Sequence, residues 1–428
     1  MPSAMPPPAF STQARQDYRT YRAGLAVLAT IFFMWGFVTV LNDVLIPHLK
    51  SVFELTYTQT MLIQFVFFGT YFLMALPGAR IIEWVGYKYA ISIGLAVTGI
   101  GALGFVPAAT IASYPLFLTS LVVLAAGITI LQVAANPYVA VIGPPETASS
   151  RLNLVQAFNS LGTAVAPTFG GMLILAQSAG GTVAAGTALS DGQRMADALA
   201  VRVPYVGIAI LLFALALVIA VWRLPVLVAD AVPNDRASDS VWRHRRLVLG
   251  IGAIFFYVGA EISVGSFLIN YISEPSVGGM SQADAAFYVT LFWSGAMIGR
   301  FLGSAIMRTI APATLLTINA LGAAALLVVS IATTGHVAMW AIILVGLMNS
   351  IMFPTIFTLA IEGLGHLTQR GSGLLIMAIV GGALVPLMQA GVADAYGIRI
   401  AFLIPAACYL YVLYFAHACR PGGIRAPT

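Results

Sequence analysis

The chain alternates between long apolar runs and short polar breaks. A helix that crosses a bilayer needs about 20 apolar residues, and the charge-free intervals fit that unit. Ala23–Asn42 predicts one span and Leu55–Ala79 a second. Tyr89–Pro145 is long enough for two, broken at Pro107–Pro115. Leu152–Ser190 predicts one span followed by a Gly/Ala/Thr-rich loop, and Val203–Trp222 predicts another. Leu247–Ser273 is interrupted only by Glu261, and the stretch from Asp284 to Arg308 contains Arg300. Thr309–Ile361 holds two spans, broken near Gly335-His336, and Gly371–Ala393 and Ile400–Cys419 hold one each, which makes twelve. The runs are apolar all round and do not alternate in ten-residue segments, so helices fit and an outer-membrane barrel does not.

Composition agrees with this pattern. Of 428 residues, 60% are hydrophobic and 8% charged, where a soluble domain carries about 25% charged residues. Twenty basic and 15 acidic side chains cannot cover a water-facing surface of this size. A soluble enzyme, a nucleic-acid binder and a disordered protein are excluded. The excess of base, a formal +5, reflects scarce acids and no basic patch. Cys408 and Cys419 supply neither a disulfide framework nor a metal cluster. Met1–Phe10 is proline-rich and reads as a disordered tail; Arg15, Arg19 and Arg22 then precede a first span expected to act as an uncleaved anchor.

Basic residues also set the orientation. Sixteen of the twenty fall with both termini and the even-numbered loops, and Lys50, Arg194, Arg202 and Arg399 fall on the other side. Both termini are expected in the cytoplasm, in a bacterial-type inner membrane. The longest polar connection, 224–246, divides six spans from six. The expected organisation is a tail (1–22), a six-helix bundle (23–223), a cytoplasmic linker (224–246), a second bundle (247–419) and a short tail (420–428). The halves echo each other. Arg151, Gly162 and Pro167 in span five recur as Arg370, Gly381 and Pro386 in span eleven, and Gly127 recurs as Gly346. Phe32-Phe33-x-x-Gly36 matches Phe255-Phe256-x-x-Gly259, and Gly69 aligns with Gly295. Parallel six-span halves with a site at the midplane between them are the pattern of the major facilitator superfamily, which this chain resembles. Ala79, Glu83, Trp84, Gly86 and Lys88 fill the places of that superfamily's loop signature after span two. Ala79 and Trp84 depart from it and put its usual charge contact in question.

An ionisable side chain inside hydrocarbon costs about 2.5–3.5 kcal/mol on insertion scales, so each one is a functional candidate. Asp43 follows Asn42 late in span one, on the face of Gly36 and Thr39 and just before Pro47. It is either a protonatable or ligand-binding carboxylate, or an interfacial acid near His48 or Lys50. Glu261 sits deep in span seven with no base in its own span. It must be protonated, face water or pair across helices, for instance with Arg300, which otherwise anchors a cytoplasmic end. Asn153, Gln156, Asn159, Ser160 and Thr163 form one polar stripe on span five, and Gln132 and Asn136 stand a turn apart on span four. Amides donate and accept, as hydroxyls do. Gln132, Gln156 and Asn159 are therefore ligand candidates, with helix–helix glue as the alternative, and Asn136 leans to glue because Pro137 frees backbone groups. Asn270, Asn349 and Gln389 are intramembrane amides of the second half, of which Asn349 and Gln389 are ligand candidates. Glu362 and Asp394 read as loop anchors, and Trp35 and Trp293 could stack on a ligand ring or merely pack. No phosphate loop, HExxH pair or nucleophile elbow occurs in the sequence.

Four stretches together resemble one branch of the superfamily, the fucose–galactose–glucose:proton symporters. They are Phe33-Met-Trp35-Gly36 through Leu41-Asn42-Asp43-x-Leu-Ile46-Pro47; Gln132-Val-Ala-Ala-Asn136-Pro137; Arg151 through Gly162; and Tyr257-Val-Gly259-Ala-Glu261 through Asn270-Tyr271. The resemblance implies an all-α fold of twelve membrane helices in two pseudo-symmetric bundles. It also implies alternating-access import of a glucose- or galactose-like hexose, coupled to protons or to sodium. In fucose-transporting members, acids at the places of Asp43 and Gln132 serve coupling and sugar binding. Gln132 cannot titrate, which argues against L-fucose, and Glu261 is carried instead, as in the glucose/galactose members. The expected cation-coupling residues are Asp43 and Glu261, and the expected sugar ligands Asn42, Gln132, Gln156, Asn159, Glu261, Asn349 and Gln389. No cofactor beyond the coupling ion, no metal, no nucleic acid and no enzymatic activity is expected. The partners are a sugar and the bilayer, with the protein a monomer. An exporter of drug-like or lipidic substrates is the alternative, and the hydroxyl-matched stripe of span five weighs against it.

Overall fold

The computed structural model describes residues 23–40, 57–111, 113–170, 202–222 and 240–420. The N-terminal tail, residues 41–56, the loop after span five, most of the 224–246 linker and residues 421–428 lie outside them. The described residues are all-helical, with ten stretches long and apolar enough to cross a membrane. One of these lies in Tyr57–Thr110, a 54-residue helix that turns back at Gly86 and so crosses twice. Gly86 has φ 78° and ψ 168°, a conformation that side chains with a Cβ avoid. Ala148–Gly170 is helical as well, but its Asn/Gln/Ser stripe makes it less apolar. Counting the turn and this helix gives twelve crossings.

Spans one to three are thus Ala23–Val40, 57–85 and 87–110. Spans four to six are Tyr114–Val141, Ala148–Gly170 and Arg202–Val221. Spans seven to nine are Arg245–Ser273, Gln282–Ile306 and Pro312–Ala332. Spans ten to twelve are Gly335–Ile361, Gly365–Tyr396 and Ile398–Ala418. The break expected at Pro107–Pro115 is narrower than its prolines suggest. The helix carries Pro107 and ends at Thr110. The next begins at Tyr114, where Pro115 needs no amide partner in a first turn and Ser113 accepts from the Leu116 amide at 3.4 Å.

Lipid tails give no hydrophobic drive between helices, so small residues that permit close approach become the packing signal. Gly162 of span five meets the Phe33 carbonyl of span one, and Gly381 of span eleven meets the Phe255 carbonyl of span seven, each too closely for a Cβ. These are residues of the internal repeat, and they bring equivalent helices together in each half. Gly127 and Gly346 do not share this equivalence: Gly127 abuts Thr98 of span three, whereas Gly346 abuts Phe292 of span eight. The outside is apolar, with Phe65, Leu73, Ile210, Leu217 and Leu387 exposed. The halves meet where spans two and four face span eleven, and where span five faces spans eight and ten.

Candidate functional site

The halves are tied at one face, the one carrying the two–three, four–five, eight–nine and ten–eleven connections. We call it the terminal face, since span seven starts there and span twelve ends there. Ser149 and Thr358 share a hydrogen bond of 2.6 Å. Ser150 donates to the Ser304 carbonyl at 2.6 Å, and Ser304 returns a bond to the Ser150 carbonyl at 2.9 Å. Asn153 donates to Thr355 at 3.2 Å and to its own-helix carbonyl of Ser149 at 2.9 Å. Ser372 donates to the Val133 carbonyl at 2.9 Å. That carbonyl is free because its regular helix partner would be the amide of Pro137, which has no N–H. At the rim, Arg370 binds Glu83 at 2.8 Å. The charge contact that the worn loop signature put in question is therefore made, by the acid it retains.

Arg151 and Arg370 occupy equivalent places in the repeat but act differently. Arg370 is exposed and reaches across to Glu83. Arg151 is buried and is more than the loop marker its position suggested. It donates to the carbonyls of Val139 at 3.2 Å, Ala140 at 2.7 Å and Pro144 at 2.7 Å. A cation there satisfies carbonyls that the end of span four leaves unpaired and complements its dipole. The second half offers no acid at the place equivalent to Glu83, where Thr309 stands on the Gly69–Gly295 offset.

Between the halves lies Glu261, sixteen residues into span seven and so about 24 Å from its start at 1.5 Å per residue. Its side chain is 12% exposed. Arg300 of span eight approaches it at 3.7 Å, within ion-pair reach but beyond a hydrogen bond. Arg300 spends its better-aligned donors elsewhere, on the Ser350 carbonyl at 3.0 Å and on the Ser160 hydroxyl of the other half. Glu261 Oε1 is left without a hydrogen bond. Arg300 is thus no cytoplasmic-end anchor but the cross-helix partner of Glu261.

A break in span ten supplies the carbonyl that holds Arg300. The helix Gly335–Asn349 stops and a second, Met352–Ile361, begins. Pro354 offers no amide to the Ser350 carbonyl, which Arg300 takes instead. The neighbouring Asn349 carbonyl accepts from the Tyr257 hydroxyl at 3.1 Å, one turn before Glu261 on span seven. The Tyr409 hydroxyl stands beside the Asn349 side chain. Tyr257 and Tyr409 carried no role in the sequence reading. Only the i, i+4 spacing of Tyr257 to Glu261 could have flagged one of them.

The amides divide by half. Gln132 donates to the Tyr71 hydroxyl at 2.7 Å, Gln156 to Asn136 at 3.3 Å, and Asn159 to the Phe32 carbonyl at 2.9 Å. Each already ties helices together. Asn349 and Gln389 are fully buried, and neither side chain makes a hydrogen bond through its oxygen or its nitrogen. Span eleven lies along span seven with Val385 against Gly259. One turn further on, that register carries Gln389 towards Ser263, whose buried hydroxyl is also unpaired. Asn270 is exposed, Glu362 anchors Arg246 at 2.8 Å, and Asp394 is exposed. Trp35 tilts onto Phe32, with ring centroids 5.2 Å apart, and Trp293 packs on Gly265. Asn42 and Asp43 lie outside the described residues. The C-terminal half thus holds a carboxylate, two amides and a serine hydroxyl with unused hydrogen-bonding capacity, behind a closed terminal face; Ser263 and Gln389 lie on the opposite face of span seven from Glu261, two residues or about 200° round the helix.

Comparison with known proteins places this arrangement. The sequence profile of the Major Facilitator Superfamily matches residues 26–379. A glucose/galactose transporter of Brucella abortus biovar 1 (strain 9-941) is 53% identical over 398 residues, covering 93% of this chain and 94% of the relative. The L-fucose-proton symporter of Escherichia coli (strain K12) is 37% identical over 409 residues, covering 93% of each. A crystal structure of the superfamily transporter FucP in the outward conformation superposes with a TM-score of 0.86 at 35% identity. It covers 94% of this chain and all of that one.

Proposed function

The chain belongs to the Major Facilitator Superfamily, in its branch of fucose–galactose–glucose symporters, and on that premise we propose that it imports a glucose- or galactose-like hexose by proton symport. The observation that carries the reading is the buried Glu261 carboxylate with an unfilled acceptor, one turn from Tyr257, whose hydroxyl binds the backbone of the unpaired Asn349. Hydroxyls of a sugar both donate and accept, and this set offers both. Glu261, Asn349 and Gln389 are the sugar contacts of the second half. Gln132, Gln156, Asn159 and Asn42 serve the first half, where three of the amides are pre-oriented by the bonds described above. Asp43 and Glu261 divide cation coupling and hydroxyl binding between them.

In this reading the terminal face is the cytoplasmic one, the protein sits as a monomer in a bacterial inner membrane with both termini inside, and no bond of the sugar is made or broken. The closed terminal face then corresponds to the outward form, the state named for the FucP structure. Sugar and ion enter from outside, the halves rock, the hydrogen bonds of the terminal face break, and both are released inside. Coupling requires that the fully loaded and the empty protein cross while the half-loaded protein does not.

The test is uptake into proteoliposomes with a sugar panel, under separate proton and sodium gradients. Accumulation of D-glucose or D-galactose driven by the proton gradient is expected. Dye export without any sugar uptake overturns the reading, and accumulation driven by sodium alone reassigns the ion. Asp43→Asn and Glu261→Gln refine it: gradient-driven accumulation surviving in both removes the two-carboxylate assignment. Equilibrium exchange surviving in one identifies the coupling acid.

A further inference from the structure

We propose that Arg300 is a positioning residue that alternates between the two halves. While the terminal face is closed, Ser160 of the first half holds it back from Glu261; when that face opens, it closes on Glu261 and displaces the sugar hydroxyl. The inference rests on Glu261 being a sugar ligand. It starts from the three nitrogens of one guanidinium, which face three elements. Nε donates to the Ser350 carbonyl at 3.0 Å, within its own half. Nη1 donates to Ser160 Oγ of span five, in the other half. Nη2 faces Glu261 Oε1 at 3.7 Å, and that oxygen has no hydrogen bond.

Rocking the halves apart at the terminal face separates span five from span eight. It breaks the Ser160 contact and leaves the Ser350 contact intact, because Ser350 moves with Arg300. A guanidinium that is only 14% exposed and loses the contact holding one nitrogen is free to turn about its Ser350 bond, towards a charged acceptor within reach of its remaining nitrogen. Glu261 Oε1 is such an acceptor and is already within ion-pair reach. An advance of about 1 Å brings Nη2 to charge-assisted hydrogen-bond distance. The carboxylate then has less to offer a hydroxyl in the inward state than in the outward one. A transporter that must bind on one side and let go on the other needs such a difference in affinity between states. Ser160 is well suited to the holding role. It donates its own proton to the Gln156 carbonyl at 3.1 Å, so its lone pairs face Arg300.

The experiment uses the whole protein in proteoliposomes, with D-galactose and D-glucose as probes. Ser160→Ala removes the hold without touching Glu261. The expected result is a KM raised about three- to tenfold, the scale of one weakened charged hydrogen bond, with the maximal rate within about twofold. Ser160→Thr keeps the hydroxyl and is expected to restore the wild-type KM. In a Glu261→Gln background, Ser160→Ala is expected to add nothing. If it raises KM equally in both backgrounds, or in neither, Ser160 and Arg300 do not act through Glu261 and the proposal falls. If Glu261→Gln alone leaves sugar affinity untouched, the sugar-site reading falls, and this proposal with it. If Glu261→Gln weakens binding while Ser160→Ala does not, only this proposal falls. Should Ser160→Ala fail to accumulate in the membrane, Ser160→Gly removes the same hydroxyl.

Discussion

Neutral hydrogen bonds, more than the ion pair, are expected to keep the terminal face shut. Glu83 and Arg370 attract attention as charges, but their side chains are 30% and 63% exposed. Such a pair contributes about 0.2–1 kcal/mol and is screened by salt. Ser149, Ser150, Asn153, Ser304, Thr355 and Thr358 are all buried, and each of their bonds contributes a net of about 1 kcal/mol, with a larger cost where a partner is left unsatisfied. Thr355→Val, Thr358→Val and Ser304→Ala together remove one hydroxyl from each of three contacts. The sum is about 3 kcal/mol, or more than a hundredfold in the ratio of open to closed terminal face. Arg370→Gln shifts that ratio by at most about fivefold, and the effect fades in high salt. The measurement is a distance distribution between spin labels at Glu146→Cys and Arg308→Cys, on connections of opposite halves. Cys408 and Cys419 are buried, so background labelling is low. The triple variant is expected to populate a longer distance that salt does not alter. A larger shift in Arg370→Gln than in the triple variant refutes the ranking.

Three further outcomes follow from the geometry. Gln389→Leu is expected to raise the Tm of the purified protein by removing an unpaired buried amide, while weakening sugar uptake about tenfold in a transport assay. Gly381→Ala drives a Cβ into the Phe255 carbonyl and is expected to cost about 1–3 kcal/mol, read as a lower Tm, whereas Gly69→Ala, with open space around it, is expected to be silent. Arg151→Met strips the donors from the end of span four and is expected to cost more than about 2 kcal/mol, while Arg370→Met, its counterpart in the repeat, is expected to leave thermal stability within about 1 kcal/mol of wild type.

The fold was legible in the sequence because hydrocarbon imposes one rule, about twenty apolar residues per crossing, and the chain obeys it nearly everywhere. The repeat was legible where close packing demands glycine, as at Gly162 and Gly381. Gly127 and Gly346 stand in equivalent spans, four and ten, as the offset implies, but sequence equivalence says nothing about which neighbour a glycine admits. Glu261 stood out because charge is costly at that depth, and Arg300 was nameable as its partner. The division among amides was not legible. Gln132 and Gln389 are chemically alike, and only three-dimensional neighbours decide that one is tied to Tyr71 while the other is unpaired. Tyr257 and Tyr409 escaped for a similar reason: in a chain with 11% aromatics, a tyrosine at a site looks like any other until its hydroxyl has an address.

Pro137 and Pro354 have a consequence for any mutational survey of this transporter. Each withholds an amide, and the acceptor released four residues earlier is a main-chain oxygen that no side-chain substitution at its own position can delete. A scan that replaces Val133 or Ser350 by alanine would report the loss of a buried side chain and leave the carbonyl in place, even where the Val133 carbonyl receives Ser372 and the Ser350 carbonyl receives Arg300. The informative lesion is in the proline. Restoring an N–H with Pro354→Ala would set the helix itself in competition with Arg300 for one oxygen. Part of this protein's polar inventory is therefore written in its prolines, out of sight of any tally of polar residues.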